Sequence, residues 1–460
     1  MLQAQGLPPE VEAALVRAKL PLDAIAVVVV DAQGGVAPRV SHRADVPMNP
    51  ASVMKLVSTY AALDLLGPAY SWRTPVYLDG VVRHGVLVGN LYIQGQGDPT
   101  LVAERLWLLM QRIRGLGIER IRGDIVLDRS AFALAPSDPG GFDGEPLRPY
   151  NAAPDALLLN YKSVVLTFVV DRANKLARIH VNPPLADVQI PASVPLSDGE
   201  CGDYRAGLRA DFSDPARIRF AGSYPASCQE RVWPIASPDP AGFAARAIEG
   251  MWREVGGRLS GVVRDGQMPP GIGPPAFEVS SPTLAEVIRD INKYSNNVMA
   301  QQVFLSLSLP NTRILGNPPA AGAASFEASR AVVRAWWRER FGTSEAPVLD
   351  NGSGLSRQVR VSAQSLARLL QTAWRSPQMP ELMASLPIAG VDGTMRRNRS
   401  LAFGSAHLKT GSLRDVSAMA GYVHAASGRR YVLVAITNHP NAGASRAAFD
   451  ALLDWTIRDE

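Results

Sequence analysis

The chain has 460 residues, 47% of them apolar and 19% charged, enough for a large core in two or three domains of roughly 100–200 residues, and too apolar for global disorder. Its 47 Lys and Arg against 42 Asp and Glu leave a net +5 and a pI near 9.3. With no long Lys/Arg block, nucleic-acid binding is disfavoured, while attraction to an acidic polymer such as a cell wall stays open. The longest apolar run near the N-terminus, Ala24 to Val30, falls far short of the roughly 18 residues that span a bilayer.

The opening Met1-Leu2-Gln3-Ala4-Gln5-Gly6 has no basic segment followed by an apolar one, so no leader is expected. A cytosolic protein and a mature exported one both fit. The β-branched run Ala24–Val30 predicts a buried strand, and the Gly34-Gly35 turn a return strand over Val36–Val40. A helix is expected from Ser52, with Leu56, Tyr60, Leu63 and Leu66 on one face and Gly67-Pro68 as its stop. Residues 75–275 then read as mainly β, with strands over Val81–Val88, Leu91–Gln94, Gly123–Leu127 and Ser163–Val170. Pro/Gly-rich connectors at Pro136–Pro149 and Pro234–Pro240 separate them, and helices over Pro99–Gly115 and Ala241–Val255 interrupt. Cys201 and Cys228 fall in a loop-rich part of this region. Two cysteines are too few for a disulfide scaffold and show no zinc spacing, which leaves either two buried thiols or one bridge. Ser281-Pro282 reads as N-cap and first turn of a helix whose Leu284, Val287, Ile288 and Ile291 share a face. Helices over Phe326–Arg340 and Gln364–Trp374 follow, then a hairpin of Met419–Val423 and Tyr431–Thr437 around Ser427-Gly428, and a last helix from Ala442 to Ile457.

Three short motifs carry chemistry. Ser52-Val53-Met54-Lys55 opens a helix, and the spacing of three puts a hydroxyl and an amine on one face, a turn apart. Such a pair suits a nucleophile and its base. Ser295-Asn296-Asn297 follows the Ser281 helix. Lys409-Thr410-Gly411 precedes Ser412 and the next strand; its Lys and Thr could hold a carboxylate while the Gly admits a substrate backbone. Alone, each is as readily a cap, a turn or a strand terminus. Together and in this order, S-x-x-K, S-x-N and K-T-G are the motif set of penicillin-interacting serine enzymes.

With 295 − 52 = 243 residues between the first two motifs, and with Gly89–Pro99, Ser281–Asn297 and Asp350–Arg357 also similar, the chain resembles the DacB-type D-alanyl-D-alanine carboxypeptidase/endopeptidases, the low-molecular-mass class C penicillin-binding proteins. The resemblance implies an α/β (α+β) transpeptidase-like fold: an antiparallel sheet flanked by helices and interrupted by two mainly β inserted domains. The expected limits are 1–74 and 278–460 for the catalytic domain, 75–160 and 262–277 for the first insert, and 161–261 for the second. It implies acyl transfer through Ser52 with neutral Lys55 as base, its pKa lowered by burial and by Lys409. Ser295 and Asn297 would relay the proton and hold Lys55. Lys409 and Thr410, with Gly411 and Ser412, would bind the terminal carboxylate, and the N–H groups of Ser52 and Ser412 would form an oxyanion hole. Arg357, Asp143 and Tyr150 would meet the substrate's side chain. Peptidoglycan stem peptides as substrate, β-lactams as covalent inhibitors, a periplasmic setting, a Cys201–Cys228 bridge, and no cofactor or metal follow from the same resemblance, with cell-wall or peripheral membrane association open. A β-lactamase, a related esterase and a non-catalytic penicillin sensor or peptidoglycan-binding module are the competing readings.

Overall fold

The computed structural model describes residues 6–310, 322–343 and 346–459; most of the opening read for a leader lies outside them. The chain divides into two compact units, Met1–Ser71 with Pro282–Glu460, and Trp72–Ser281.

The first unit is built on a five-stranded antiparallel sheet. Its spatial order is Ala406–Leu413, Val416–His424, Arg430–Asn438, Ile25–Asp31, Val40–His42. Ile25–Asp31 pairs along its whole length with Arg430–Asn438, so the N-terminal strand sits inside a sheet made mostly by the last quarter of the chain. Its apolar run is continuous because both faces are covered, and Ile25 to Val30 are all buried. One face packs Ile25, Val27, Val29, Leu408, Met419 and Leu433 against helices Pro9–Arg17 and Arg446–Arg458. The other carries the Ser52 turn and helix Ala363–Trp374. The Pro9–Arg17 helix escaped the sequence reading. The return strand is shorter and later than expected, Val40–His42, because Pro38 interrupts the segment and Val36 is exposed. Helix Lys55–Leu66 is buried nearly all round rather than along one face. The cap of the Leu284–Tyr294 helix is Thr283, not Ser281: its hydroxyl and backbone N–H both bond the Glu286 carboxylate, closing a capping box.

In the second unit, a seven-stranded sheet holds strands from 73–128 and 258–280, and a five-stranded sheet holds strands from 163–236. One buried apolar cluster runs through both, from Val76 and Ile125 to Phe168 and Trp252. Strand Arg258–Leu259, which falls within the expected 161–261 segment, pairs with Arg120–Ile121 of the first sheet. The expected strand Val81–Val88 is instead a hairpin. His84-Gly85 turns with φ of 47° and 78° between strands Arg73–Arg83 and Val86–Gln94, a two-residue turn with positive φ at both positions that His-Gly signals less strongly than Asn-Gly. Helix Ala103–Gly115 begins four residues later than expected. Cys201 and Cys228 are joined by a disulfide.

Candidate active site

Ser52 stands in a 3₁₀ turn, Ala51–Met54, that feeds directly into helix Lys55–Leu66. The turn is clamped from several sides. Asn49 and Asn438 exchange two hydrogen bonds of 2.8 Å, Asn49 Nδ2 donates to the Ser356 carbonyl at 2.9 Å, and its Oδ1 accepts from Ala51 N–H at 2.9 Å. Ala51 itself takes φ of 47°. Two glycines let neighbouring backbone approach: a Cβ on Gly354 would lie 2.0 Å from the Ala51 carbonyl oxygen, and one on Gly411 would lie 2.5 Å from that of Pro50. Neither position could carry a side chain without moving the serine.

Lys55 lies one helical turn on and has no exposed surface. Its Nζ donates to Ser52 Oγ at 2.9 Å, to Asn297 Oδ1 at 2.6 Å and to the Ser353 carbonyl at 2.6 Å. Burial, and then the charge of Lys409, hold its pKa well below the ordinary lysine value. A neutral amine keeps two N–H groups. The Ser353 carbonyl can only accept and Asn297 presents its amide oxygen, so the lone pair is left for the Ser52 hydroxyl.

The S-x-N motif straddles a joint between two helices. Ser295 ends helix Leu284–Tyr294 in the left-handed region with φ of 57°. Asn296 caps the next helix by accepting from Met299 N–H, and Asn297 is its first residue. The joint delivers Asn297 to Lys55, and Ser295 to the third motif. There Lys409 Nζ donates to Ser295 Oγ at 2.9 Å and to the Thr410 carbonyl at 2.7 Å. Lys409 is also fully buried, and burial lowers its pKa to about 7.

The K-T-G triplet is not a strand terminus, as its surroundings in sequence suggested. It lies within strand Ala406–Leu413, at the edge of the sheet. Side chains alternate along it: Lys409 and Gly411 face the Ser52 turn, Thr410 and Ser412 the opposite side. The Leu408 N–H points outward, to the Pro387 carbonyl at 2.8 Å, so by the same period of two the N–H groups of Thr410 and Ser412 also point off the edge. Thr410 Oγ1 donates to Thr394 Oγ1 at 2.7 Å. A cavity of about 910 Å³ opens beside Thr410, Gly411 and Ser412.

The three motifs therefore meet in one unit: Lys55 bonds Ser52 and Asn297, Lys409 bonds Ser295, the Ser295–Asn297 joint connects the two sets, and Gly411 lies against the Ser52 turn. Arg357 lies in the same unit, half exposed, its Nη1 2.6 Å from Asp415 Oδ1. Asp143 and Tyr150 belong to the other unit, where Tyr150 O–H donates to Asp143 Oδ2 at 2.9 Å and Asn151 Nδ2 to Asp143 Oδ1 at 2.8 Å. Sequence reasoning missed the Ser353 carbonyl as the third acceptor around Lys55. The signal was there in Gly352-Ser353-Gly354: both glycines have φ near +80°, at 77° and 79°, and Asn351 Oδ1 accepts from the Ser353 N–H and hydroxyl, folding the loop so that this carbonyl turns inward. Among the described residues, no group of three or more His, Cys, Asp or Glu could hold a metal ion, and no helix is long and apolar enough to cross a membrane.

The chain is similar to known proteins over most of its length. The chain is 26% identical over 401 residues to the D-alanyl-D-alanine carboxypeptidase DacB of Haemophilus influenzae, covering 85% of this chain and 81% of that one. It is 28% identical over 425 residues to a D-alanyl-D-alanine carboxypeptidase of Actinomadura sp., covering 88% and 76%. The fold superimposes on the crystal structure of penicillin binding protein 4 (dacB) from Haemophilus influenzae with a TM-score of 0.74 at 23% identity, over 96% of this chain and 99% of that one. Residues 7–458, nearly the whole chain, match the family model, and the protein belongs to the D-Ala-D-Ala carboxypeptidase 3 (S13) family.

Proposed function

We propose that the protein is a serine D-Ala-D-Ala carboxypeptidase and DD-endopeptidase acting on peptidoglycan stem peptides. The observation that carries the reading is the buried Lys55 amine, 2.9 Å from Ser52 Oγ, with two other acceptors fixing where its lone pair can point. Neutral Lys55 takes the Ser52 proton as Oγ adds to the carbonyl carbon between two D-residues. The N–H groups of Ser52 and Ser412 stabilise the oxyanion. The C–N bond then breaks, and the leaving amine gains its proton through the Ser295 hydroxyl. Water cleaves the ester and restores Ser52. Lys409, Thr410 and Ser412 hold the carboxylate of the leaving residue, and the open strand edge takes the peptide backbone as an added strand.

A strained cyclic amide carrying a carboxylate fits the same groups, so β-lactams act as inhibitors that acylate Ser52. Arg357 contacts the acyl side of the substrate by exchanging Asp415 for a ligand carboxylate, and Asp143 with Tyr150 offers a hydrogen-bonded acid–phenol pair for a substrate amine. A peptidoglycan substrate places the work outside the cytoplasmic membrane, in the periplasm of a bacterium with an outer membrane, a setting that also suits the Cys201–Cys228 bridge.

The test is to incubate the native protein and Ser52→Ala with a fluorescent penicillin, and then with a muropeptide ending in D-Ala-D-Ala. The expected result is a stable adduct on the native protein alone, with released D-Ala. An adduct on Ser52→Ala removes Ser52 from the reaction. An adduct without D-Ala release points to a sensor, and rapid hydrolysis of the adduct points to a β-lactamase.

A further inference from the structure

The cavity beside the third motif is much larger than a leaving alanine requires. Its volume of about 910 Å³ is at the upper end of the range that holds drug-sized ligands, roughly 300–1,000 Å³. It lies on the Thr410 side of the edge strand, the side that faces the C-terminal helix, whereas Lys409 and Gly411 face the nucleophile. Because Thr410 and Ser412 border it, a leaving group that continues past a carboxylate held at Thr410 would meet it.

Its charge is lopsided. Arg396 and Arg397, from the loop after Thr394, and Arg446, at the start of the last helix, line it. Arg446 Nη2 reaches the Arg397 carbonyl at 3.3 Å, which draws the two segments together. Among the described residues none of the three is within 4.0 Å of a carboxylate oxygen, although the charge of Arg446 acts on Asp450 one helical turn away. The one acid in the lining, Asp450, accepts a hydrogen bond from Asn398 Nδ2 at 2.8 Å; burial raises its pKa while Asn398 and the charge of Arg446 pull it down, so it offsets part of the positive charge of Arg446 and none of the other two arginines'. Three guanidiniums against one partly neutralised acid leave the cavity wall with a net positive charge suited to carboxylates.

We propose that this cavity is a leaving-side subsite for a peptide leaving group with carboxylates beyond the one at Thr410, that is, the acidic acceptor stem of a cross-linked dimer. The inference rests on the peptidase reading above and adds a substrate preference to it. A single terminal D-alanine leaves the arginines without a partner. A leaving residue that continues into a second acidic stem engages them.

The experiment compares the native protein with the Arg396→Gln/Arg397→Gln/Arg446→Gln triple variant. It measures kcat/KM on a purified cross-linked muropeptide dimer and on the monomeric pentapeptide, with penicillin-adduct formation recorded in parallel. Removing charge-assisted hydrogen bonds should lower the dimer-to-monomer ratio by about tenfold or more. As a check that needs no variant, raising salt from about 50 mM to about 300 mM should raise KM for the dimer more than for the monomer on the native protein. An unchanged ratio with the adduct intact, or equal salt effects on both substrates, overturns the leaving-side subsite alone. A native protein that forms no adduct and releases no D-Ala overturns the peptidase reading and this inference with it.

Discussion

Asn297→Asp tests the claim that an uncharged Lys55 drives the reaction. The substitution keeps the size and shape of the side chain and places a carboxylate where the amide oxygen stands, 2.6 Å from Lys55 Nζ. At that distance two unit charges attract by about 1.6 kcal/mol in a water-like dielectric and about 6 kcal/mol at an effective dielectric of about 20. At about 1.4 kcal/mol per pKa unit, even the smaller figure raises the lysine by more than one unit and cuts its neutral fraction about tenfold at any pH well below the original value. The acidic limb of the rate should therefore move up by at least one unit, and activity lost at pH 7 should return as the pH is raised. Asn297→Ala should differ in kind. It removes an acceptor without adding charge, leaving a buried N–H unpaired at about 1–3 kcal/mol, and alkaline pH should not rescue it. The assay is stopped-flow or gel-based acylation by a fluorescent penicillin from pH 5 to pH 10. An Asn297→Asp protein that is folded, acylates at the native rate and keeps the native acidic limb would refute the neutral-amine mechanism.

Two further outcomes are expected. Lys409 has a pKa of about 7 in the folded protein against an ordinary 10.5, so between those values the unfolded chain carries a proton that the folded one lacks; stability should rise with pH through that window, by about 1.4 kcal/mol per unit for this lysine. Lys409→Met should flatten the rise in urea unfolding measured from pH 6 to pH 10, and equal slopes for both proteins would count against the buried, easily discharged lysine. In the 72–281 unit, the Cys201–Cys228 bridge spans a separation of 27 residues and should contribute about 3–4 kcal/mol on the chain-entropy model. The Cys201→Ser/Cys228→Ser variant should unfold at lower urea, and the intact mass of the native protein should gain two hydrogens on reduction; an unchanged mass would refute the bridge.

The sequence made some of this legible for physical reasons. Ile25–Val30, buried on both faces, must be apolar without alternation, and the run announces a central strand. Leu284, Val287, Ile288 and Ile291 announce a helix with one buried side. Ser52 and Lys55 share a helical face by spacing alone. Other features depend on the backbone, where spacing is silent. Nothing in Lys409-Thr410-Gly411 says that it lies mid-strand with its outer N–H groups free, because the neighbour that leaves it free is an absent strand. The His84-Gly85 turn hides inside a β-branched run because a positive φ at histidine has no strong signature. The third acceptor around Lys55 is a main-chain carbonyl, and a carbonyl has no letter in the sequence; only the paired glycines around Ser353 hint at it. The arginine-lined cavity joins residues 396–397 to residue 446 across a fold, so no local window could find it.

The pairing of Ile25–Asp31 with Arg430–Asn438 has a consequence for how the protein comes into being. The hydroxyl and its base lie within the first 60 residues, but the asparagine, the carbonyl and the second lysine that surround them are made between about 240 and 360 positions later. Until that later stretch is synthesised and docks, Lys55 remains hydrated and charged, and Ser52 remains an ordinary alcohol. Reactivity is thus a property of the finished polypeptide. A fragment released early, by truncation or nicking, carries an inert serine, and a strand pair so distant in sequence carries a loop-closure cost that must be met before the site can form.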